Sequence, residues 1–103
     1  MNRKKARHGM ASKVHDLKIS MKYMDAQLAG IKNFEIRKND RDYKVGDRLW
    51  LREWNGQNYT GRKVTVYVTY ITDYAQRDGY VVLGTSPIGR TSGRLVQNSF
   101  ELA

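Results

Sequence analysis

From Arg62 to Thr72 the chain sets Val64, Val66, Val68 and Tyr70 at every second position, with Lys63, Thr65, Tyr67 and Thr69 between them. A period of two is the pleat of a β-strand, and no helix can gather an apolar face from it. Shorter segments of the same kind run from Val14 to Ile19, Asn33 to Lys38, Arg48 to Trp54 and Gly79 to Gly84. Asn55-Gly56 marks a hairpin after the third of these, and Asp73 to Asp78 turns the chain before the last. One helix interrupts the pattern. Ser20 can cap it, Met21, Met24 and Leu28 form its apolar stripe, and Gly30 stops it. The reading is an α+β, mostly β, domain: a small β-barrel of about five strands with one short helix. No internal repeat or low-complexity stretch competes with it.

The most informative segment is Gly30 to Asp47, where a helix-ending glycine leads into a strand carrying Lys32, Glu35 and Arg37. Phe34 and Ile36 alternate with Glu35 and Arg37, so the apolar pair takes one sheet face and the ionic pair the other. Side chains two apart lie on the same face at roughly 7 Å, which sets an acid beside a guanidinium with Lys32 at the strand entrance. Such a cluster suits a ligand site. An ionic face is also the ordinary wet side of a half-buried sheet.

The pattern Gly30-x-Lys32-x-x-Glu35-x-Arg37, followed by Val45-Gly46-Asp47, resembles the signature of the ASCH family of PUA-like barrels. His15-Asp16-Leu17-Lys18 precedes it. Arg52-Glu53-Trp54, Tyr59-Thr60-Gly61-Arg62, Val68-Thr69-Tyr70-Ile71 and Gly79 to Gly84 follow in order. The chain is similar to a small ASCH branch of unknown function found in phages, mobile elements and Firmicutes. The resemblance covers residues 14–84, leaving a basic arm at 1–13 and a tail at 85–103. It implies a PUA-like (ASCH) fold and an association with RNA. It also implies a rival role, because the branch includes an anti-CRISPR protein that acts on a type II RNA-guided DNA nuclease by binding the nuclease, its guide or its target DNA.

Length and charge fit a single domain that meets a polyanion. The 103 residues suffice for one core, and the chain lacks cysteine, which excludes disulfides and thiolate metal sites. No apolar run approaches the ~20 residues that span a membrane, and no apolar segment follows the basic N-terminus as in a secretory signal. A cytoplasmic monomer in a bacterial host is expected. The net charge is +9. Residues 1–13 hold Arg3, Lys4, Lys5, Arg7 and Lys13 without an acid, and the tail sets Arg90 and Arg94 against Glu101, so the two ends carry six of the nine charges. A basic arm on a small domain is the electrostatic footprint of nucleic-acid binding, largely independent of sequence and steeply salt-dependent.

A second candidate surface lies on the Arg48 to Trp54 strand, where Arg48, Trp50, Arg52 and Trp54 share the face opposite Leu49 and Leu51. Rings that stack on bases beside guanidiniums that meet phosphates suit a single strand, although tryptophans more often serve the core. Arg62, Lys63 and Tyr59 extend a positive rim near the hairpin end.

Catalysis is the less favoured reading. Some ASCH proteins are amidohydrolases that deacetylate acetylated cytidine, with the motif lysine, a threonine three residues later and a separate glutamate. Lys32 matches the lysine, but Glu35 stands in the threonine position and the distant glutamate has no clear counterpart. A lysine attacks or takes a proton only when its ammonium is destabilised, and an adjacent carboxylate does the opposite. His8 and His15 lack the carboxylate spacing of a zinc site. The sequence therefore predicts a non-catalytic binder of RNA or a nucleotide-like ligand, with no cofactor and no metal. Lys32 and Arg37 would meet phosphate or a base edge, Glu35 would orient Arg37 or accept from an amino group, and Arg41 and Lys44 would form the rim.

Overall fold

A computed structural model describes residues 12–88 of the chain. The arm residues Arg3, Lys4, Lys5 and Arg7, and the tail arginines Arg90 and Arg94, lie outside the described residues. The elements are β1 (Val14–Ser20), α1 (Met21–Leu28), β2 (Phe34–Lys38), β3 (Arg48–Trp54), β4 (Tyr59–Thr72) and β5 (Tyr80–Pro87). β5 continues past Gly84, so Thr85, Ser86 and Pro87 belong to the sheet rather than to a tail.

Period two does its work in β1, β3 and β5, whose alternate residues are buried. Leu17, Ile19, Leu49, Leu51, Val66, Val68, Val81 and Leu83 meet inside, and Met24 from α1 and Tyr43 from the β2–β3 loop join them. The strands form one curled half-barrel sheet in the order β1-β3-β4-β5-β2. β1 runs parallel to β3, and the remaining pairs are antiparallel. β4 is 14 residues long and serves both neighbours, pairing β3 through its first half and β5 through its second. A strand shared in this way bends the sheet on itself and brings the edge strands β1 and β2 toward each other.

The curl inverts β2. Glu35 is the inward residue, only 3% exposed, whereas Phe34 and Ile36 face out at 43% and 54%. The alternation holds, but the wet-face reading of the ionic pair does not. β2 borders the seam between the two sheet edges, and its inward carboxylate is tolerated there because it is fully paired. Arg37 donates to the Lys18 main-chain carbonyl at 2.9 Å, and Arg41 donates to that of Asp16 at 3.2 Å. The two carbonyls are two residues apart, as expected for groups leaving the same edge of a strand. Guanidiniums thus stand in for ladder hydrogen bonds where the sheet does not close.

Two apolar assignments change. Tyr70 does not continue the Val64, Val66 and Val68 face, because β4 carries a bulge between Val68 and Tyr70. The extra residue shifts the phase, turning Tyr70 out at 66% exposure and packing Ile71 against the core. Gly84 makes room for the bulge, since a Cβ there would lie 3.2 Å from both Tyr70 Cβ and Thr69 Oγ1. In α1, Met21 and Leu28 are exposed and the buried pair is Met24 and Gln27. The helix has only two turns and packs on β1 and β3, so one apolar residue reaches the core. Ser20 caps its start, and Gly30 at φ 78° ends it in the left-handed conformation a glycine adopts without strain.

Candidate functional site

Glu35 is the centre of the seam. Its Oε2 accepts from Lys32 Nζ at 2.5 Å and from Gln27 Nε2 at 2.8 Å. Its Oε1 accepts from Arg37 Nε at 3.1 Å and Arg37 Nη2 at 2.9 Å. Lys32 also donates to the Phe34 carbonyl at 2.9 Å. The helix-ending glycine explains the convergence: it reverses the chain after α1, so Gln27 and Lys32 arrive beside the first residues of β2. Two cations share one anion, which leaves the cluster with a positive charge in excess.

That excess faces a cleft of about 580 Å³ lined by Lys18, Ile19, Ser20, Tyr23, Lys32, Phe34, Glu35, Ile36 and Arg37. The Lys32 ammonium lies 5.2 Å from the Tyr23 ring centre and 5.1 Å from that of Phe34. The cleft therefore offers apolar rings, donor cations and a carboxylate whose two oxygens are already engaged. Such a set suits a planar aromatic ligand with a negative group. Lys32 Nζ itself donates to both Glu35 and the Phe34 carbonyl.

The outer face of β1, β3 and β4 holds the second predicted group. Trp50, Arg52 and Trp54 do share it, half-buried, with Arg48 exposed at its end. Arg52 makes a two-pronged ion pair with Asp16, at 2.8 and 3.0 Å, and its guanidinium lies 3.9 Å from the Tyr59 ring centre and 4.6 Å from that of Trp50. The Asp16 hydrogen bonds hold the Arg52 guanidinium firmly in its charged form. Lys18 Nζ stands 3.8 Å over the Trp54 ring. These rings are already met by cations, so the stripe is an assembled cation–π surface rather than bare stacking platforms. Of the expected rim, Arg41 is used at the seam and Lys44 pairs with Asp42 at 3.3 Å.

The structure also assembles residues that sequence reasoning missed. Gln27 was hidden because a polar residue on a helix reads as solvated. Glu53 is buried in β3, where it accepts from Arg62 and from Thr60, and Arg62 reaches on to Asp25 at 2.6 Å. The Arg62 guanidinium, followed by the Thr60 hydroxyl, holds the Glu53 carboxyl below the usual carboxylate range. Glu53 and then Asp25 in turn raise Arg62. Arg62 is thereby committed to acids and is no free rim cation. His15 is buried and shares a 2.8 Å hydrogen bond with the fully buried Asp47, whose oxygens also accept the main-chain N–H groups of Lys13 and Lys44. His15 also packs at 4.8 Å on Tyr43, whose hydroxyl burial pushes above its ordinary value. This node pins the start of β1 to the loop before β3. Among the described residues, no group of three or more His, Asp or Glu side chains could hold a metal ion, and no helix is long and apolar enough to cross a membrane.

A family model described as a domain of unknown function, DUF3850, matches residues 14–85, which span β1 through most of β5. The chain belongs to the DUF3850 family. This DUF3850 chain is also 44% identical over 75 residues to the uncharacterized 12.9 kDa protein in the GpA 3′ region of Escherichia phage P2. The match takes in 72% of this chain and 69% of the phage protein. Membership of a phage-associated family of unknown function agrees with the sequence reading at that level. The whole Glu35 cluster and both aromatic faces lie inside the DUF3850 match.

Proposed function

We propose that this DUF3850 chain is a non-catalytic binder of single-stranded nucleic acid, RNA by preference, built on an ASCH, PUA-like domain. The half-barrel with a Gly-x-Lys-x-x-Glu-x-Arg motif at its seam supports that placement. One observation carries the functional reading: the cleft at the seam sets the rings of Tyr23 and Phe34 around Lys32, with Arg37 and Lys18 beside them. A base stacks on a ring while lysine or arginine meets the phosphate, and the net charge of +9 draws the polyanion in. Lys32 holds phosphate as an ammonium, Glu35 fixes the direction of Arg37, and no amide is cleaved. The protein works as a monomer in the cytoplasm of a bacterial host.

The test is fluorescence anisotropy with labelled oligonucleotides across a salt series. Binding should weaken with salt by a slope of about 0.7 per phosphate contact on a single strand. Salt-independent binding, or none at low salt, would sink the reading. Incubation with acetylated cytidine should yield no deacetylation.

A second reading, resting on the resemblance of the motif to the ASCH branch, is an inhibitor of a type II RNA-guided nuclease. A target-DNA cleavage assay with such an effector separates the two. Inhibition that survives loss of oligonucleotide binding would favour contact with the nuclease itself.

A further inference from the structure

A second cleft, of about 470 Å³, lies on the other side of the β1 end and is lined by Lys18, Ile19, Ser20, Met21, Lys22, Trp54, Asn55 and Gly56. It shares Lys18, Ile19 and Ser20 with the cleft at the seam, so one wall serves both. Each side carries its own aromatic surface and its own lysine. Tyr23 and Phe34 stand with Lys32 on one side, and Trp54 stands under Lys18 on the other. The carboxylates of the elements around this wall are already engaged, Asp16 by Arg52 and both Asp25 and Glu53 by Arg62. Among the described residues, Lys18 and Lys22 at the junction therefore have no acid of their own, and α1 has no acidic residue in its first turn.

We propose, resting on the reading of the seam cleft as a nucleic-acid site, that the two clefts form one continuous track for a strand of several nucleotides. One base lies in the seam cleft against Tyr23 and Phe34. The backbone crosses the end of β1 at Lys18 and Lys22, and a following base stacks on Trp54. Lys18 is suited to the crossing because its ammonium rides on a flexible four-carbon stem. It moves from the Trp54 ring to the phosphate as the base takes its place. Trp54 is held edge-on by Tyr59 at 5.0 Å, so the ring is fixed before the base arrives. A mononucleotide can fill only one end of such a track, so the preferred ligand is an oligonucleotide.

The experiment compares uridine monophosphate with oligouridylates of increasing length by calorimetry on the full chain. Stacking of a further base on an aromatic ring contributes roughly tenfold or more in affinity, so the short oligonucleotide should bind at least about tenfold more tightly than the mononucleotide. Trp54→Ala should collapse that ratio toward unity, and Lys18→Gln should reduce it, whereas Tyr74→Ala, at an exposed turn, should keep it. Should Trp54→Ala lower the melting temperature, Trp54→Leu retains apolar packing and removes the indole. Equal affinity for mononucleotide and oligonucleotide, or a ratio that survives loss of the indole, overturns the continuous track and leaves the seam site standing. Binding of neither ligand overturns both.

Discussion

Glu35 and Glu53 are both buried to 3% exposure, both face inward from a strand, and both are held by an arginine. They differ in what surrounds the pair. Glu35 meets Lys32 and Arg37, two cations for one anion, and the surplus positive charge lines a cleft. Glu53 shares Arg62 with Asp25, two anions for one cation, and lines neither of the two clefts at the β1 end. A buried carboxylate thus identifies nothing by itself. The sign of the charge left over, and whether it reaches open space, separates a candidate polyanion site from a clamp between α1, β3 and β4.

The comparison is broken most directly at Glu35. Glu35→Ala should strand Lys32 and Arg37 in a largely buried place and destabilise the fold by roughly 3 kcal/mol, read as a fall in the urea midpoint, since removing one partner of a buried pair leaves uncompensated charge. A loss below about 1 kcal/mol would mean that water reaches the two cations and the seam is not a sealed pair. Alanine at both Lys32 and Arg37 would leave Glu35 without a counter-charge and held by Gln27 alone, so a milder change is needed to test binding.

That milder change is Lys32→Gln, which keeps a donor near Glu35 and removes one cation from the cleft. It should weaken oligonucleotide binding about tenfold, at the low end of a charge-assisted hydrogen bond, with the melting temperature nearly unchanged. Arg62→Gln, made in the other cluster, should leave affinity within about twofold. Equal losses from the two substitutions would erase the distinction between the clusters.

Acid titration sharpens the contrast from the other side. The Glu53 carboxyl is depressed in the folded state by Arg62 and Thr60. Its contribution is therefore present above the unfolded value of about 4.3 and lost as pH falls through the lower folded value. Urea midpoints should drop in that acid range for the wild type, and Glu53→Gln should flatten the drop. An unchanged profile would place the acid sensitivity elsewhere.

The smallest effect belongs to Ser20, which caps α1 and lines both clefts without charge. Its hydroxyl accepts from Tyr23 N at 3.5 Å, so Ser20→Ala should cost only about 0.5 kcal/mol in a thermal melt and leave the salt slope of binding unchanged. A changed slope would give the wall between the clefts an electrostatic role that its lysines do not account for.

Much of this architecture is legible in the sequence because backbone geometry is local. Strand β3 runs from Arg48 to Trp54 as the alternation predicts, and its Asn55-Gly56 turn is fixed by Asn55 Oδ1, which accepts from the Gln57 and Asn58 N–H groups at 2.8 Å. Lys32, Glu35 and Arg37 lie together because positions two and three apart at a strand entrance cannot be far from one another. Tyr70 was misplaced because a single bulge residue reverses the phase of everything after it, and only the partner strand reveals the extra residue.

The sequence alone determined the elements, their order and the ionic triplet at the start of β2. It also set the alternation that separates Phe34 and Ile36 from Glu35 and Arg37. Tertiary structure decided which of those faces is inside. Alternation is symmetric between the two sides of a strand, and the choice depends on how the whole sheet curls. The curl brings the edge strand β2 toward β1 without pairing them, and an Arg37 to Lys18 bond spans the gap across 19 positions of chain. The same long-range packing brought Gln27 to Glu35, Arg62 to Asp25 and Lys18 onto Trp54. None of these follows from spacing, because each is made only when a curled sheet brings distant segments within hydrogen-bonding or ring-contact distance.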